Sequence, residues 1–421
     1  MITTLYNYYN LYSLKIKGGI RMSDSYDVLI VGGGPAGLSA GMYASRAKLD
    51  TLLLETGDVG GQPKSYEEME NYPGVLDTSA PELMENFREH ATEFGTEIEK
   101  GEVVEINTDN FIKTVKTKDG SEYKAKSIIL STGAEPRRLG VEGEEEFRGQ
   151  GVSYCATCDA DFFVDLEVVV VGNGNSAIEE ALYLTKFASK VTVIVIHEEG
   201  TMDADKIYQE RAYDNDKIEF VWNSTVDKVQ GDGLVDNVVL KNIKTGAKSE
   251  FECDGVFIFI GRVPSTDFVE DTVELTENGY IKVDETLETD KDGIFAAGDV
   301  RDKYLRQVVT AAADGATAAT AAGGYIEEEE YWQENVLEAE EDVVVAFWSP
   351  TNEDSMEVTN ELESINLEDK GVKLVKIDTY KNMRISNRYD ITEVPSLLKI
   401  SDGEVVDRLE APQLDEVEEI L

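Results

Sequence analysis

"YDVLIVGGGPAGLSAGMYASR", residues 26–46, opens with a short apolar strand, passes through a glycine-rich turn and continues as a helix of small residues. Gly32, Gly34 and Gly37 fit the spacing G-x-G-x-x-G. In such a turn the first glycine makes the tight bend. The second lets the backbone approach a pyrophosphate, and the third lets helix and strand pack closely. The helix then turns its unpaired N–H groups towards the phosphates. A second strand, "TLLLE", ends at Glu55, where an acid would bind a ribose hydroxyl. Alone, the glycine spacing says little. Set between strand and helix, with that glutamate, it predicts a dinucleotide site.

The pattern recurs in "LEVVVVGNGNSAIEEALYLTKFASKVTVIVI", residues 166–196. Here Gly172, Gly174 and Ala177 hold the three positions, and alanine in the third still permits close packing. One chain therefore carries two dinucleotide-binding units, one expected to hold a flavin and the other a nicotinamide. A third strand–turn–helix, "DGIFAAGDVRDKYLRQVVTAAADGATAATAA", places Gly298 and Asp299 at a strand end.

Between the units lies "SYCATCDADF", residues 153–162, with two of the three cysteines of the chain. A structural zinc needs four ligands, usually from two close pairs. Only Cys253, His90 and His197 remain, with no second pair. Two inert buried thiols are the other alternative. A redox dithiol is the better reading, because C-x-x-C beside a βαβ pattern is a dithiol signature. The pair is expected to open a helix whose N-terminal field favours the thiolate. Three cysteines are too few for a disulfide framework and suit a reducing cytoplasm. Cys253, in "FECDGVFIFIG", reads as a small core residue of an apolar strand, and His90 as a solvent-facing helix residue.

In chain order, "GGGPAGLSA", "GGQ", "ENYPG", "STGAEPRRLG", "CATCD", "GNGNSAIEEA", "FIFIGRVPST" and the Gly298–Asp299 segment resemble the low-molecular-weight thioredoxin reductase family of FAD flavoproteins, from about Met22 to Tyr325. The resemblance implies an α/β fold with two Rossmann-like dinucleotide-binding domains. The FAD domain would comprise 22–138 and 266–325, and the NAD(P) domain, 139–265, would be inserted between them with the dithiol. Implied FAD contacts are Gly32, Gly34, Gly37, Glu55, Gly61, Gln62, Asn71, Thr132, Gly133, Gly298, Asp299, Arg306, Gln307 and Val308. Asp299 would meet a ribityl hydroxyl. Implied nicotinamide contacts are Gly172, Gly174, Ala177, His197, Glu198, Gly261 and Arg262. Cys158 resembles the thiol beside the flavin, Cys155 the interchange thiol, and Asp159 the acid that moves the proton. Implied chemistry runs from hydride to FAD, to the Cys155–Cys158 disulfide, and then to an external disulfide by exchange. The inserted domain would rotate about "STGAEPRRL" and "GRVPST". The family also implies a homodimer.

NADPH-using members carry His-Arg-Arg-x-x-x-Arg after the second strand of the nicotinamide domain. This chain has "HEEGTMD", with Glu198, Glu199 and Asp203 where arginines would stand. Three negative charges repel a 2′-phosphate, and an acid there can accept from a free 2′-hydroxyl. NADH is therefore the expected donor, with Glu198 its contact. "MDADK" also resembles the NADH-using flavoprotein subunit of alkyl hydroperoxide reductase. NADPH and reduced ferredoxin are the alternatives; the intact Gly172/Gly174/Ala177 turn argues against a decayed nicotinamide site. The disulfide acceptor is expected to be a separate thioredoxin-like protein, with a peroxiredoxin-like one as alternative. A redox-dead flavoprotein scaffold is the non-enzyme alternative, against which the intact C-x-x-C-D speaks.

"GGYIEEEEYWQENVLEAEED", with no apolar stripe wide enough for a core helix, reads as an acidic linker, part of it helical, 326–340. Residues 341–421 resemble thioredoxin: "AFW", "KIDTYKN" and "EVPSLL", whose Pro395 is cis in that family. Where thioredoxin has C-G-P-C, this chain reads Asn352-Glu353-Asp354-Ser355, so this domain cannot relay electrons through thiols. It is expected to dock a partner or to stabilise a dimer, or to be a relic of a once-active domain.

The chain has 421 residues, enough for two or three domains, and no apolar run long enough to span a bilayer. Its 85 acids against 39 Lys and Arg give a net charge of −46, which excludes nucleic acid as a partner. Spread along the chain, that charge suits work in concentrated salt. Residues 1–21 lack the apolar core and cleavage site of a signal peptide. "KGGIRM" can be encoded by a ribosome-binding site followed by ATG, so translation is expected to start at Met22.

Overall fold

The computed structural model describes residues 25–65, 69, 71–76, 78–367, 370–414 and 416–421; the expected start at Met22 lies outside them. The chain divides into two units, up to Thr320 and from Ala321.

The first unit begins with β1 (Tyr26–Val31), α1 (Pro35–Arg46), β2 (Thr51–Glu55), α2 (Ala80–Phe94) and β3 (Glu97–Lys100). β4 (Val103–Asn107), β5 (Lys113–Thr117) and β6 (Glu122–Leu130) follow. β3, β2, β1 and β6 are parallel neighbours in that order. Besides β1, β6 serves two further partners. Its first half pairs antiparallel with β5, and its last residues, Ile128–Leu130, pair parallel with β17 (Ile294–Ala296). A strand from the later stretch thus completes a sheet begun at Tyr26. Val28, Leu29 and Ile30 are wholly buried, which is why β1 reads as an unbroken apolar run.

Between β6 and β17 the chain builds a second parallel sheet. β7 (Ala134–Pro136) leads to β8 (Val152–Ser153), the short α3 (Ala156–Asp159), β9 (Glu167–Val171), α4 (Asn175–Leu184), β10 (Lys190–Ile194), α5 (Lys206–Tyr213) and β11 (Ile218–Val221). With β15 (Gly255–Ile258) the sheet order is β11-β10-β9-β15-β8. β12 (Ser224–Gly231), β13 (Val235–Asn242) and β14 (Lys248–Glu252) form an antiparallel layer. β16 (Arg262–Pro264) pairs antiparallel with β7, with Ala134 opposite Pro264, so the two crossover segments lie side by side. Cys253 is buried in the core as expected, but it lies in the turn between β14 and β15, not in a strand. His90 is exposed on α2.

The acidic stretch 326–340 corrects the linker expectation. α6 (Val308–Trp332) is one helix, and a π-type turn, Gln333–Leu337, extends it. In the second unit Trp332 (0% exposed) and Val336 join the core with Val345, Phe347 and Leu398. Glu329 is buried and accepts from Arg388, while Glu328 accepts the Ile385 amide at 3.1 Å. The four-stranded sheet runs β19 (Val372–Asp378), β18 (Asp342–Trp348), β20 (Ser396–Ser401), β21 (Glu404–Glu410), with α7 (Glu353–Ser364) and α8 (Met383–Arg388). The Val394–Pro395 bond is cis, as the thioredoxin resemblance implied. Asn352 caps α7, its Oδ1 accepting from the Ser355 amide at 2.8 Å. Ser355 is wholly buried and donates to the Ser349 carbonyl. Thioredoxin's thiol positions are thus occupied by a hydrogen-bonded helix cap.

Candidate active site

A cavity of about 1030 Å³ opens over the carboxyl ends of the first sheet. Gly32, Gly34, Glu55, Gly61, Gln62, Asn71, Thr132, Gly133, Gly298, Asp299, Arg306, Gln307 and Val308 all line it. Gly37 does not, and its role is packing: a Cβ there would lie 1.9 Å from the Gly32 carbonyl oxygen. Gly32, at φ +104°, bends against Ser131, where a Cβ would meet a carbonyl oxygen at 2.5 Å. Beside Gly34 there is open space, the cradle that a pyrophosphate needs. Glu55 holds the turn as well as facing the cavity, since its carboxylate accepts the Gly33 amide at 2.6 Å and the Gly57 amide at 2.7 Å. Across the cavity Asn71 donates to Gln307 at 3.0 Å, and Gln62 donates to the Ala134 carbonyl.

Two polar atoms on this wall lack protein partners. Asp299 Oδ1 and Arg306 Nε are buried and unsatisfied. Burial raises the Asp299 carboxyl above its usual range against the pull of Arg262, Lys303 and Arg306. A hydroxyl-bearing ligand that donates to Asp299 removes that penalty. Buried Asp314 sets this turn by accepting the Gly298 amide, a two-pronged bond from Arg301 and one from Lys303 at 2.7 Å. The cradle, the orphaned carboxylate and the cavity fit FAD.

The nicotinamide residues divide. Gly261 and Arg262 line the same cavity, Arg262 donating to the Ala134 carbonyl at 3.2 Å. Ser176, Glu179 and Tyr183 of α4 line it too, so the second dinucleotide helix faces the flavin cradle. Gly172, Gly174, Ala177, His197 and Glu198 lie away from it, at the second glycine turn and beyond the following strand. Gly172 is at φ +133°, and a Cβ there would meet the Phe259 carbonyl oxygen at 2.2 Å. His197 pairs with Asp203 at 3.1 Å. Glu198 is exposed and pairs with Lys244 at 2.7 Å, which lowers its pKa and keeps it ionised. Lys244 is a cation that the reading of "HEEGTMD" overlooked.

Cys155 is disulfide-bonded, whereas Cys253 is a free, buried thiol whose pKa desolvation pushes up to about 12. Cys158 lies on α3, and its side chain is outside the described ones. Among the described side chains, Cys155 and Asp159 do not line the flavin cavity, whereas their neighbour Tyr154 does. Asp159 accepts from Ser153 Oγ at 2.6 Å, and Ser153 Oγ also accepts the Cys155 amide at 3.0 Å. Phe162, three residues beyond Asp159, is 75% exposed.

Three residues of this turn escaped the sequence reading. Ser153 ties Cys155 to Asp159. Tyr154 donates to Glu144 at 2.6 Å, and burial with that hydrogen bond pushes its phenol well above the usual range. Glu180, on α4, is buried against the wall of the flavin cavity, and desolvation lifts its pKa to about 7. It stands between Ala177 and Leu184 on the buried helix face, so an acid in an apolar phase was the signal that could have found it.

Residues 26–315 match the family model described as pyridine nucleotide-disulphide oxidoreductase, and 325–421 match that of thioredoxin. Thioredoxin reductase of Peptoclostridium acidaminophilum is 48% identical over 304 residues, covering 70% of this chain and 96% of that one. The Bacillus subtilis (strain 168) enzyme is 48% identical over 294 residues, 70% of this chain and 92% of its own. Lactococcus lactis thioredoxin reductase in its FR conformation superposes with TM-score 0.70 at 44% identity, covering 72% of this chain and all of that one. T. acidophilum thioredoxin reductase superposes with TM-score 0.68 at 34% identity, covering 73% of this chain and 100% of that one. With two dinucleotide folds, a cysteine pair and these relatives, the chain belongs to the thioredoxin reductase family of FAD-dependent pyridine nucleotide-disulphide oxidoreductases and carries a C-terminal thioredoxin-family domain.

Proposed function

We propose that this enzyme reduces the disulfide of a separate thioredoxin-like protein with electrons from NADH. The reading rests on one observation: the flavin cradle and the donor-facing face of α4 share a cavity, while disulfide-bonded Cys155 lies outside it. FAD, when bound, supplies two-electron acceptance from hydride and two-electron donation to a disulfide. Gly32 and Gly34 leave room for its pyrophosphate, Glu55 receives a ribose, and Asp299 accepts from the ribityl chain. Asn71, Thr132, Gly133, Arg306, Gln307 and Val308 enclose the rest. Cys155 attacks the acceptor disulfide, Cys158 resolves the exchange, and Asp159, held by Ser153, moves the proton. Exposed Phe162, in the segment that follows the dithiol, offers a protein acceptor an apolar contact.

Glu198 supports NADH over NADPH. It is ionised, exposed and able to accept from a ribose hydroxyl, and Lys244 alone offers little against a family's three arginines. Domains at 22–138 with 266–325, and at 139–265, fit the two parallel sheets, with β7 and β16 as the hinge. We further propose a cytoplasmic homodimer, which light scattering of the FAD-loaded protein tests.

The deciding experiment is anaerobic flavin reduction in concentrated salt, with NADH, NADPH and reduced ferredoxin added separately while the flavin absorbance is followed. Rapid bleaching by NADH, followed by reoxidation with oxidised thioredoxin, supports the reading. Bleaching by ferredoxin alone, or no reoxidation by thioredoxin, overturns it.

A further inference from the structure

Glu144 is buried, 3% exposed, in the loop that enters the inserted domain. Four donors converge on its carboxyl. The amides of Leu139, Gly140 and Val141 donate to it at 2.8, 2.6 and 3.3 Å, and the Tyr154 hydroxyl donates to it at 2.6 Å. A buried carboxylate persists only where such bonds offset its desolvation. The loop is pressed against β12. Val229 donates its amide to the Glu142 carbonyl at 2.9 Å, and a Cβ on Gly143 would lie 2.1 Å from the Val229 carbonyl oxygen. Just before this loop, the Arg137 amide donates to the Gly261 carbonyl and continues the pairing of β7 with β16. Tyr154 stands at the other end of the link. It lines the flavin cavity and directly precedes Cys155. Ser153, before it, accepts the Cys155 amide and donates to Asp159. The redox turn is thus tied within itself by Ser153 and to the crossover by Tyr154.

We propose that Tyr154, anchored on Glu144, is a positioning residue for electron transfer to the dithiol: the hydroxyl–carboxylate link fixes the redox turn to the crossover segment, so the turn keeps its place when the inserted domain moves. This deepens the disulfide-reductase reading and rests on it. In the step it serves, the S–S bond of Cys155 takes two electrons and breaks, two protons make both sulfurs thiols, and bound flavin is oxidised in exchange. One proton comes from the reduced flavin and one from solvent. Tyr154 supplies neither. Burial and its bond to Glu144 raise its phenol above the ordinary range, so it stays a hydrogen-bond donor.

The test uses the full-length FAD-loaded protein as wild type, Tyr154→Phe, Glu144→Gln and the double variant. Phe keeps the ring and removes only the hydroxyl; Gln turns an amide donor towards backbone donors. The first readout needs no nicotinamide and no protein acceptor. Dithiothreitol should reduce the disulfide of Cys155 roughly threefold to tenfold faster in both single variants, because a loosened turn admits the attacking thiolate more often; quenched thiol counting follows it. In the second, one equivalent of dithionite is added anaerobically. Flavin absorbance falls, then returns as the disulfide takes the electrons. That return should slow about tenfold or more in each single variant, since a bond to a charged acceptor is lost. The double variant should be slower than either single by less than about twofold, because both changes cut one link. Glu144 does not line the flavin cavity, so bleaching by NADH should stay within about twofold of wild type in Glu144→Gln. Flavin content and spectrum verify folding, and Tyr154→Phe keeps the test available should Glu144→Gln fail it. A return in Tyr154→Phe as fast as in wild type overturns the proposal. So do single effects that multiply in the double variant, or that slow NADH bleaching equally. If absorbance never returns in the wild type, the reductase reading falls; dithiothreitol rates then still judge the anchor, and rates equal to wild type in both single variants overturn it too.

Discussion

Cys155→Ser is the sharpest single change. Reduction of a disulfide substrate should drop to background, because the attacking thiolate is gone, while donor-driven flavin bleaching persists; stopped-flow absorbance separates the two. Gly37→Ala should cost roughly 1–3 kcal/mol, since a Cβ 1.9 Å from the Gly32 carbonyl oxygen forces helix and strand apart. Lower FAD content and a lower Tm would report it. Glu180 also makes stability pH-dependent. Its folded pKa lies at about 7 against 4.5 for an ordinary glutamate. Its contribution is therefore complete below about 4.5 and lost as the pH rises through 7. Relative to wild type, Glu180→Gln should gain on the order of 1–3 kcal/mol between pH 5 and pH 8, read from urea unfolding at both. An apolar-phase glutamate was visible in the sequence; its place at the cavity wall was not, since that depends on how separate elements pack.

At the scale of elements, α6 is the instructive case. Tyr325, Glu328, Glu329, Trp332 and Val336 recur at helical spacing and are all buried. Counting glutamates as solvent-facing breaks this stripe, and the segment then reads as a linker. Arg388 and the Ile385 amide make burial of the two acids tolerable, and both come from α8, some sixty positions later. Glu329→Ala leaves Arg388 without its buried partner and should destabilise the second unit by about 3 kcal/mol, measured by its thermal transition. The strand–turn–helix of β1 and α1 is the opposite case. Its glycines act on neighbours within the same few residues, so spacing alone announced it.

The whole molecule carries a net charge of −46, and its repulsion is screened within about 3 Å at 1 M salt against about 10 Å at 0.1 M. Tm should therefore climb as KCl is raised from 0.1 to 2 M, by roughly 2–8 °C if screening recovers one to two kcal/mol; a flat profile would remove the case for adaptation to salt. If the cysteine-free thioredoxin domain docks the acceptor, removing 321–421 should raise KM for the protein substrate and leave flavin reduction by NADH alone; an unchanged KM would leave the domain a relic. By itself the sequence determined the two dinucleotide folds, the C-x-x-C-D, the missing thioredoxin cysteines and the acid-for-arginine exchange at Glu198. Each is set by residue types at short, fixed spacings, where local geometry dictates chemistry. Only the tertiary structure decided that α4 faces the flavin cavity, that Cys155 lies outside it, that Lys244 reaches Glu198, and that Glu180 is buried at the cavity wall. Those relations depend on how distant elements pack, and no local periodicity encodes the distance between them.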